Sequence, residues 1–297
     1  MYHPHTDIRR VSWIESLPPF FRPYLYLARL DRPIGFWLLF LPCLWSFGLS
    51  ETWSWMTVFF FLWGSIFMRS AGCVINDLAD QSFDQKVERT KTRPLAAGAL
   101  TKHQALSFLV LLLGGAFLIL LQLKKITILM GFFFLPLVIL YPFMKRWTYW
   151  PQLFLGLVFN GGILMAWVDG KGALSLEPLL LYGAGIFWTL GYDTVYGYQD
   201  KEEDEGLGLK STALLFKDQL KPFLLGCFSV MIFLLISIGV YNEYTKIYYG
   251  ILISLYSWFI YQVWFLNSND KQNLLALFRS QKWVGFWVLG AILLGRI

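Results

Sequence analysis

Apolar runs of membrane-spanning length follow one another along this 297-residue chain and leave it few folds. Crossing a hydrocarbon core of about 30 Å takes roughly 20 helical residues. Nine runs approach that length, at 33–50, 52–75, 104–122, 126–142, 149–168, 176–198, 222–241, 246–266 and 282–296. The last is the shortest, with Trp283 and Trp287 placed to suit a membrane interface. Hydrocarbon cannot satisfy an open backbone, so runs of this length are helices. The expected fold is all-α: a polytopic membrane helical bundle of about nine transmembrane helices, one domain over 1–297. Composition agrees, because 57% of residues are hydrophobic and only 15% charged, where a soluble domain carries about 25% charge.

Charge falls almost wholly between the runs. Nineteen of the 25 Lys and Arg lie on one set of alternate sides, in the N-terminal segment and at 76–103, 143–148, 199–221 and 267–282. The other side carries Lys124, Lys125, Lys171, Lys246 and Arg296, and Arg69 lies inside the second run. The positive-inside rule then places the N-terminus and both acidic loops in the cytoplasm. The net charge of +6 follows from that bias and does not point to nucleic acid. Cys43, Cys73 and Cys227 are isolated within apolar runs and read as small core residues. His3, His5 and His103 are scattered, which argues against a zinc or haem site. The first 32 residues hold Asp7, Arg9, Arg10 and Glu15 but no apolar signal core, and Pro18, Pro19 and Pro23 suit an interfacial lead-in. The expected location is therefore a bacterial cell inner membrane.

Two acidic clusters carry the chemistry. The first runs from Asn76 through Asp77 and Asp80 to Asp84; the second runs from Asp193 through Asp200 to Asp204. Asp80 and Asp200 are 120 positions apart, as are Asp84 and Asp204, so the DxxxD spacing is duplicated. Each cluster follows an even-numbered run, which predicts a parallel four-helix repeat, about 29–148 and 149–266, plus one further helix. Residues four apart share a helical face, so each pair aims two carboxylates at one point. Converging carboxylates bind hard cations such as Mg2+, commonly with a phosphate-bearing substrate. Asn76, Asp80 and Asp84 share a face, with Arg69 seven residues before Asn76 on the same side. An intramembrane Arg faces a polar cavity or partner. Arg89 and Arg93 follow in a basic tail; a lone DxxxD there would read as a solvated mixed-charge loop, but the duplicate argues against that.

In the second cluster Asp193, Gly197, Asp200 and Asp204 form one expected helical stripe. Gly197 would let a ligand or a neighbouring helix approach. Tyr196, four residues before Asp200, could offer its hydroxyl to a phosphate or an aromatic substrate. Lys210, Ser211 and Thr212 either donate to a phosphate or cap the next helix. Glu202, Glu203 and Glu205 lie off the stripe and read as solvated surface. A third polar feature pairs Tyr141 with Lys145, four residues apart, beside Arg146. Lys145 and Arg146 are either charge anchors or diphosphate contacts. Some of the many aromatic rings could line an isoprenoid tunnel and shelter a cation.

Asn76–Asp84 followed by Arg89–Gly98 resembles the first signature of the UbiA-type membrane prenyltransferases, and Asp193–Asp204 resembles their second. The likeness runs from Arg29 to about Phe216. Arg29–Gly35, Tyr141–Arg146 with Pro151 and Gln152, Tyr192–Tyr196 and Gly208–Ala213 resemble the 4-hydroxybenzoate polyprenyltransferase branch. Phe159–Trp167 departs from the pattern, which has a Gly-Trp pair and a Pro near Leu164. The resemblance implies nine helices around a cavity open to lipid and a dependence on Mg2+. It also implies transfer of a polyprenyl group from polyprenyl diphosphate to 4-hydroxybenzoate, in ubiquinone biosynthesis. On that reading Asp80 and Asp84 hold one Mg2+, Asp200 and Asp204 a second, and Asp77 adds a ligand or supports one. Arg69 and Lys145, with Arg89 or Arg93, would neutralise the leaving diphosphate. Asn76 and Tyr196 would orient the reactants, and Asp193 would accept a proton or fix a neighbour. Two rivals stand beside it: a relative using another aromatic acceptor, and a secondary transporter with acidic gates. Transporter sites lie near the bilayer midplane, whereas these carboxylates gather at one face.

Overall fold

A computed structural model describes residue 8 and residues 10–296 of the protein. His3, His5, Asp7 and Arg9 lie outside the described residues. Two short helices, α1 (Ser12–Glu15) and α2 (Arg22–Leu27), lead in. Then come α3 (Ile34–Ser50), α4 (Trp55–Asp84), α5 (Lys102–Leu120) and α6 (Lys125–Trp147). The helices α7 (Pro151–Phe159) and α8 (Gly161–Lys171) adjoin at Asn160, and α9 (Leu176–Gly197) follows. Two short helices, α10 (Lys201–Gly206) and α11 (Thr212–Leu215), precede α12 (Leu220–Tyr241), α13 (Lys246–Trp264) and α14 (Lys271–Leu294). No strand occurs among the described residues.

By length and composition, five segments among the described residues can cross a membrane: α4, α5, α6, the joined α7 and α8, and α12. Helices α5 and α6 turn Val110, Leu111, Leu118, Leu129 and Phe133 outward, as lipid-facing surfaces do. Pro136 and Pro142 lie inside α6, where hydrocarbon tolerates them if neighbours satisfy the freed carbonyls.

Several features of the helices differ from the sequence reading, among them the end of α4, which runs on past 75 to Asp84. The run at 149–168 is interrupted at Asn160, a fully buried residue whose amide donates to the Gly156 carbonyl (2.8 Å) and Thr189 Oγ1 (2.9 Å). The final helix starts at Lys271, because its first turns are amphipathic, burying Leu274 and Leu277 between polar residues. The acidic stripe of the second cluster is also broken, as described below.

The chain forms two compact units. The first comprises residues up to Phe36 together with Leu62–Gln122; the second comprises Trp37–Phe61 and the chain from Leu123 onward. The core of the first gathers Leu27, Ala71, Val74, Leu95, Leu100, Ala105 and Leu112. Leu95 and Leu100 belong to the segment between α4 and α5, so that segment packs down onto α4. A capping box closes it: Gln104 N–H donates to Thr101 Oγ1, and Thr101 N–H donates back to Gln104 Oε1. In the second unit α9 is the central helix, packed by α7, α8, α12 and α14. Its fully buried Trp188 lies against Trp45 and donates to Gln281 Oε1 at 2.9 Å. Trp45 donates to the Gly285 carbonyl at 2.7 Å, so both indoles are buried with satisfied N–H groups.

Candidate active site

The 30 residues of α4 span about 45 Å, more than the hydrocarbon layer needs. The surplus carries Asn76–Asp84 beyond the apolar stretch as a continuous helix. The expectation that Asn76, Asp80 and Asp84 share a face of one helix holds. Asp77, Asp80 and Asp84 are 1%, 2% and 7% exposed. Three buried carboxylates on one short stretch require cationic compensation, and two guanidinium groups supply it to Asp77 and Asp84. Arg29 Nη2 donates to both carboxylate oxygens of Asp77, at 3.1 and 3.2 Å. Arg93 Nη1 donates to Asp77 at 3.3 Å and to both oxygens of Asp84, at 3.1 and 3.0 Å.

Local folding explains why these cations arrive. Arg93 comes from the segment anchored by Leu95. Gln81 Nε2 donates to the Leu95 carbonyl (3.1 Å), and Thr90 Oγ1 donates to the Asp84 carbonyl (3.0 Å). The basic tail is therefore a packed flap and not a solvated loop. Arg29 follows α2, where Leu30 N–H reaches the Leu25 carbonyl and Arg29 N–H the Tyr26 carbonyl. Those are the two bonds of a Schellman motif, and Arg29 takes the left-handed position that glycine favours, with φ 57°. Arg69 lies lower on α4. Gly35 makes room for it, since a Cβ there would collide with its guanidinium.

The second cluster sits in the second unit and is less regular than expected. The α-helix ends at Gly197; Tyr198–Asp200 form a 3-10 turn, and Asp204 lies on α10. Asp193 thus lies on one helix and Asp204 on another, with Asp200 at their joint, so the single stripe is corrected to a kinked one. Glycine is a poor helix former, and here Gly197 admits a neighbour: a Cβ would lie 3.2 Å from Gln152 Nε2 of α7. Gln152 Oε1 accepts from Thr212 N–H at 3.0 Å, and Thr212 Oγ1 meets Thr194 Oγ1 at 2.6 Å. Ser211 Oγ accepts from Leu214 N–H and caps α11. For Ser211 and Thr212 the capping and packing reading holds.

Tyr196 packs against Phe278, ring centroids 4.5 Å apart. Lys210 Nζ donates to the Trp147 carbonyl at 3.3 Å, and Lys210 N–H donates to the Lys145 carbonyl at 2.8 Å. That pair ties the end of α6, with Tyr141 and Lys145, to the segment after the second cluster. Arg146 lies over the ring of Phe143, and Arg89 is partly buried in the flap of the first unit. Among the described residues no three His, Cys, Asp or Glu side chains are gathered as a ready metal cage. Sequence reasoning passed over Arg29 as a site residue. No local spacing links it to Asp77, 48 positions away.

Residues 39–290 match the UbiA prenyltransferase family, and the chain belongs to that family. Its relatives include the mitochondrial 4-hydroxybenzoate polyprenyltransferase of Rattus norvegicus, 43% identical over 291 residues, covering 96% of this chain and 77% of the relative. The enzyme of the same name from Homo sapiens is 43% identical, over 96% of this chain and 78% of the relative. The one from Arabidopsis thaliana is 41% identical, over 97% and 72%. Among solved structures, a UbiA homologue from Aeropyrum pernix K1 superposes with a TM-score of 0.73 at 23% identity, covering 86% of this chain and 96% of that one. A UbiA homologue from Archaeoglobus fulgidus bound to GPP and Mg2+ gives 0.71 at 17% identity, covering 91% and 99%. These structures fix the fold.

Proposed function

We propose that this chain transfers a polyprenyl group from polyprenyl diphosphate to the ring carbon ortho to the hydroxyl of 4-hydroxybenzoate, in ubiquinone biosynthesis. The observation that carries the reading is the buried carboxylate face of α4, held against Arg29 and Arg93. It stands in a chain 43% identical to an enzyme of that name over nearly its whole length.

The donor set fits Mg2+, because Asp77, Asp80 and Asp84, like Asp200 and Asp204, offer only hard carboxylate oxygens. We assign the first three to one Mg2+ and the last two to a second. Bound Mg2+ offsets the charge that gathers on the diphosphate as its bond to carbon breaks. Arg69, Arg89, Arg93 and Lys145 are assigned to the same charge, and positioned cations of this kind supply the largest catalytic term. Lys210, set at the Trp147 carbonyl, is assigned to the segment that carries Lys145. The C–O bond breaks with its electron pair leaving on the diphosphate. A π pair of the ring then forms the new C–C bond, and the displaced ring proton passes to a base, a role given to Asp193. Asn76 and Tyr196 are assigned to orient the reactants. The reading further comprises nine spans with a parallel repeat in one domain, in a cell inner membrane with the acidic loops cytoplasmic. The Lys and Arg bias supports that orientation.

The break at Asn160 falls within the stretch that departs from the family pattern, so an alternative acceptor is the second reading. Membranes containing the protein, given geranyl diphosphate and 4-hydroxybenzoate, homogentisate or dihydroxynaphthoate in parallel, separate the two. Product from 4-hydroxybenzoate in preference to the others is expected. Product from another acceptor alone would move the chain to a different branch of the family, and diphosphate release with none would contradict transfer.

A further inference from the structure

Within the first unit, α1 and α2 fold as a two-sided hairpin. Ile14 is fully buried, and so is Leu27, which belongs to the apolar core of the unit. The polar groups of the hairpin answer one another. The Tyr26 hydroxyl donates to Glu15 Oε1 at 2.5 Å, and Arg22 donates to Glu15 Oε2 at 3.1 Å and to the Leu17 carbonyl at 2.8 Å. The outer side is aromatic. Trp13, Phe20 and Phe21 are 48%, 67% and 53% exposed, so large rings crown a segment in which Glu15 and Arg22 are paired with each other.

The turn that presents the two phenylalanines suits a surface poor in water. Phe21 N–H donates to the Pro18 carbonyl at 3.0 Å, and Pro18 and Pro19 have no N–H to strand. Helix α5 fixes the height of the ridge. Phe20 lies against Tyr24, ring centroids 5.7 Å apart, and Tyr24 lies against Phe108 of α5 at 5.3 Å. Phe108 stands six residues past Lys102, about 9 Å along the helix from its start. Helix α5 is long and apolar enough to cross a membrane, and it turns Leu106, Val110 and Leu111 outward. The ridge therefore continues a lipid-facing surface. Its level matches the roughly 5–10 Å to which interfacial segments bury their apolar side.

We propose that the hairpin of α1 and α2 is an interfacial anchor, with Trp13, Phe20 and Phe21 entering the headgroup–acyl boundary of the leaflet that surrounds the start of α5. The bilayer surface is the partner that fits. Aromatic rings concentrate at that boundary, and the pairing of Glu15 with Arg22 leaves the hairpin without an unanswered charge to carry into it. A soluble partner would have to reach the ridge through the lipid around α5.

The test is spin-label accessibility of the full chain in vesicles of phosphatidylcholine and phosphatidylglycerol. Phe20→Cys, Phe21→Cys and Trp13→Cys carry a nitroxide one at a time, the native Cys43, Cys73 and Cys227 being buried. Collisions with oxygen, which concentrates in hydrocarbon, are compared with collisions with a water-soluble nickel chelate. At all three positions the oxygen-to-nickel ratio should approach that of Val110→Cys on α5. It should stand severalfold above that of Glu88→Cys, whose parent side chain is 65% exposed. Trp13 lies on its own helix, so its variant keeps the test open should a phenylalanine variant fail to fold. A ratio equal to that of Glu88→Cys would put the ridge in water and overturn the proposal. Exclusion of both reagents would overturn it in favour of burial against a second copy of the chain.

Discussion

Arg29 occupies a left-handed backbone position, with φ 57°, at a cost of roughly 1–2 kcal/mol for a residue with a Cβ. Its guanidinium, 11% exposed, answers the almost fully buried Asp77. Breaking a buried pair from one side costs about 3–5 kcal/mol, which exceeds the backbone strain. Arg29→Gly should relieve the strain yet lower stability by about 2–4 kcal/mol, read as an earlier unfolding midpoint in denaturant. A variant as stable as the parent would show that Arg93 alone compensates Asp77. For the acidic residues the expectation concerns chemistry more than folding. Asp80→Ala and Asp200→Ala should each lose prenyl transfer by at least about 10²–10³-fold, while the protein still elutes as a single folded species. Substantial activity in both would sink the metal assignment.

At the scale of single elements, α4 does two jobs: it crosses the apolar layer, and it carries a carboxylate face past it. Gly35 on α3 sets the position of Arg69 on α4 within the first unit. Gly35→Ala should therefore push the guanidinium aside and lower kcat/KM for the prenyl diphosphate about tenfold, the loss of one charge-assisted contact, with the fold intact. Unchanged kinetics would mean that Arg69 does not reach the diphosphate. The all-helical class, the five apolar spans and the helical face of Asn76, Asp80 and Asp84 are legible in the sequence because hydropathy and the four-residue period are local properties. The kink at Gly197 is less so, since it depends on Gln152 arriving from α7. The break at Asn160 likewise depends on Thr189. The flap with Arg93 is legible in its charges but not in its packing, which rests on Leu95 and Leu100 joining a core built by other helices.

For the whole molecule, the charge bias predicts which ends meet the cytoplasm, and the buried cysteines make that testable. Cys43, Cys73 and Cys227 are all buried, so an impermeant maleimide in intact vesicles should report only introduced thiols. Glu88→Cys and Glu202→Cys should label from the cytoplasmic side alone, and Gln122→Cys from the opposite side alone. The reverse pattern would invert the topology. What the amino-acid order could not supply at this scale is the set of long-range pairings, such as Arg29 with Asp77 and Arg296 with Glu51, which no periodicity encodes. The proposed function is a Mg2+-dependent prenyl transfer, and the need for the metal is its most exposed point. Membranes holding the protein can be given labelled 4-hydroxybenzoate and geranyl diphosphate, with Mg2+ or with a chelator, and the label followed into an organic-extractable product. Product is expected with Mg2+ and none with the chelator, and activity should return when Mg2+ is restored. Product formed equally well in the chelator would contradict it.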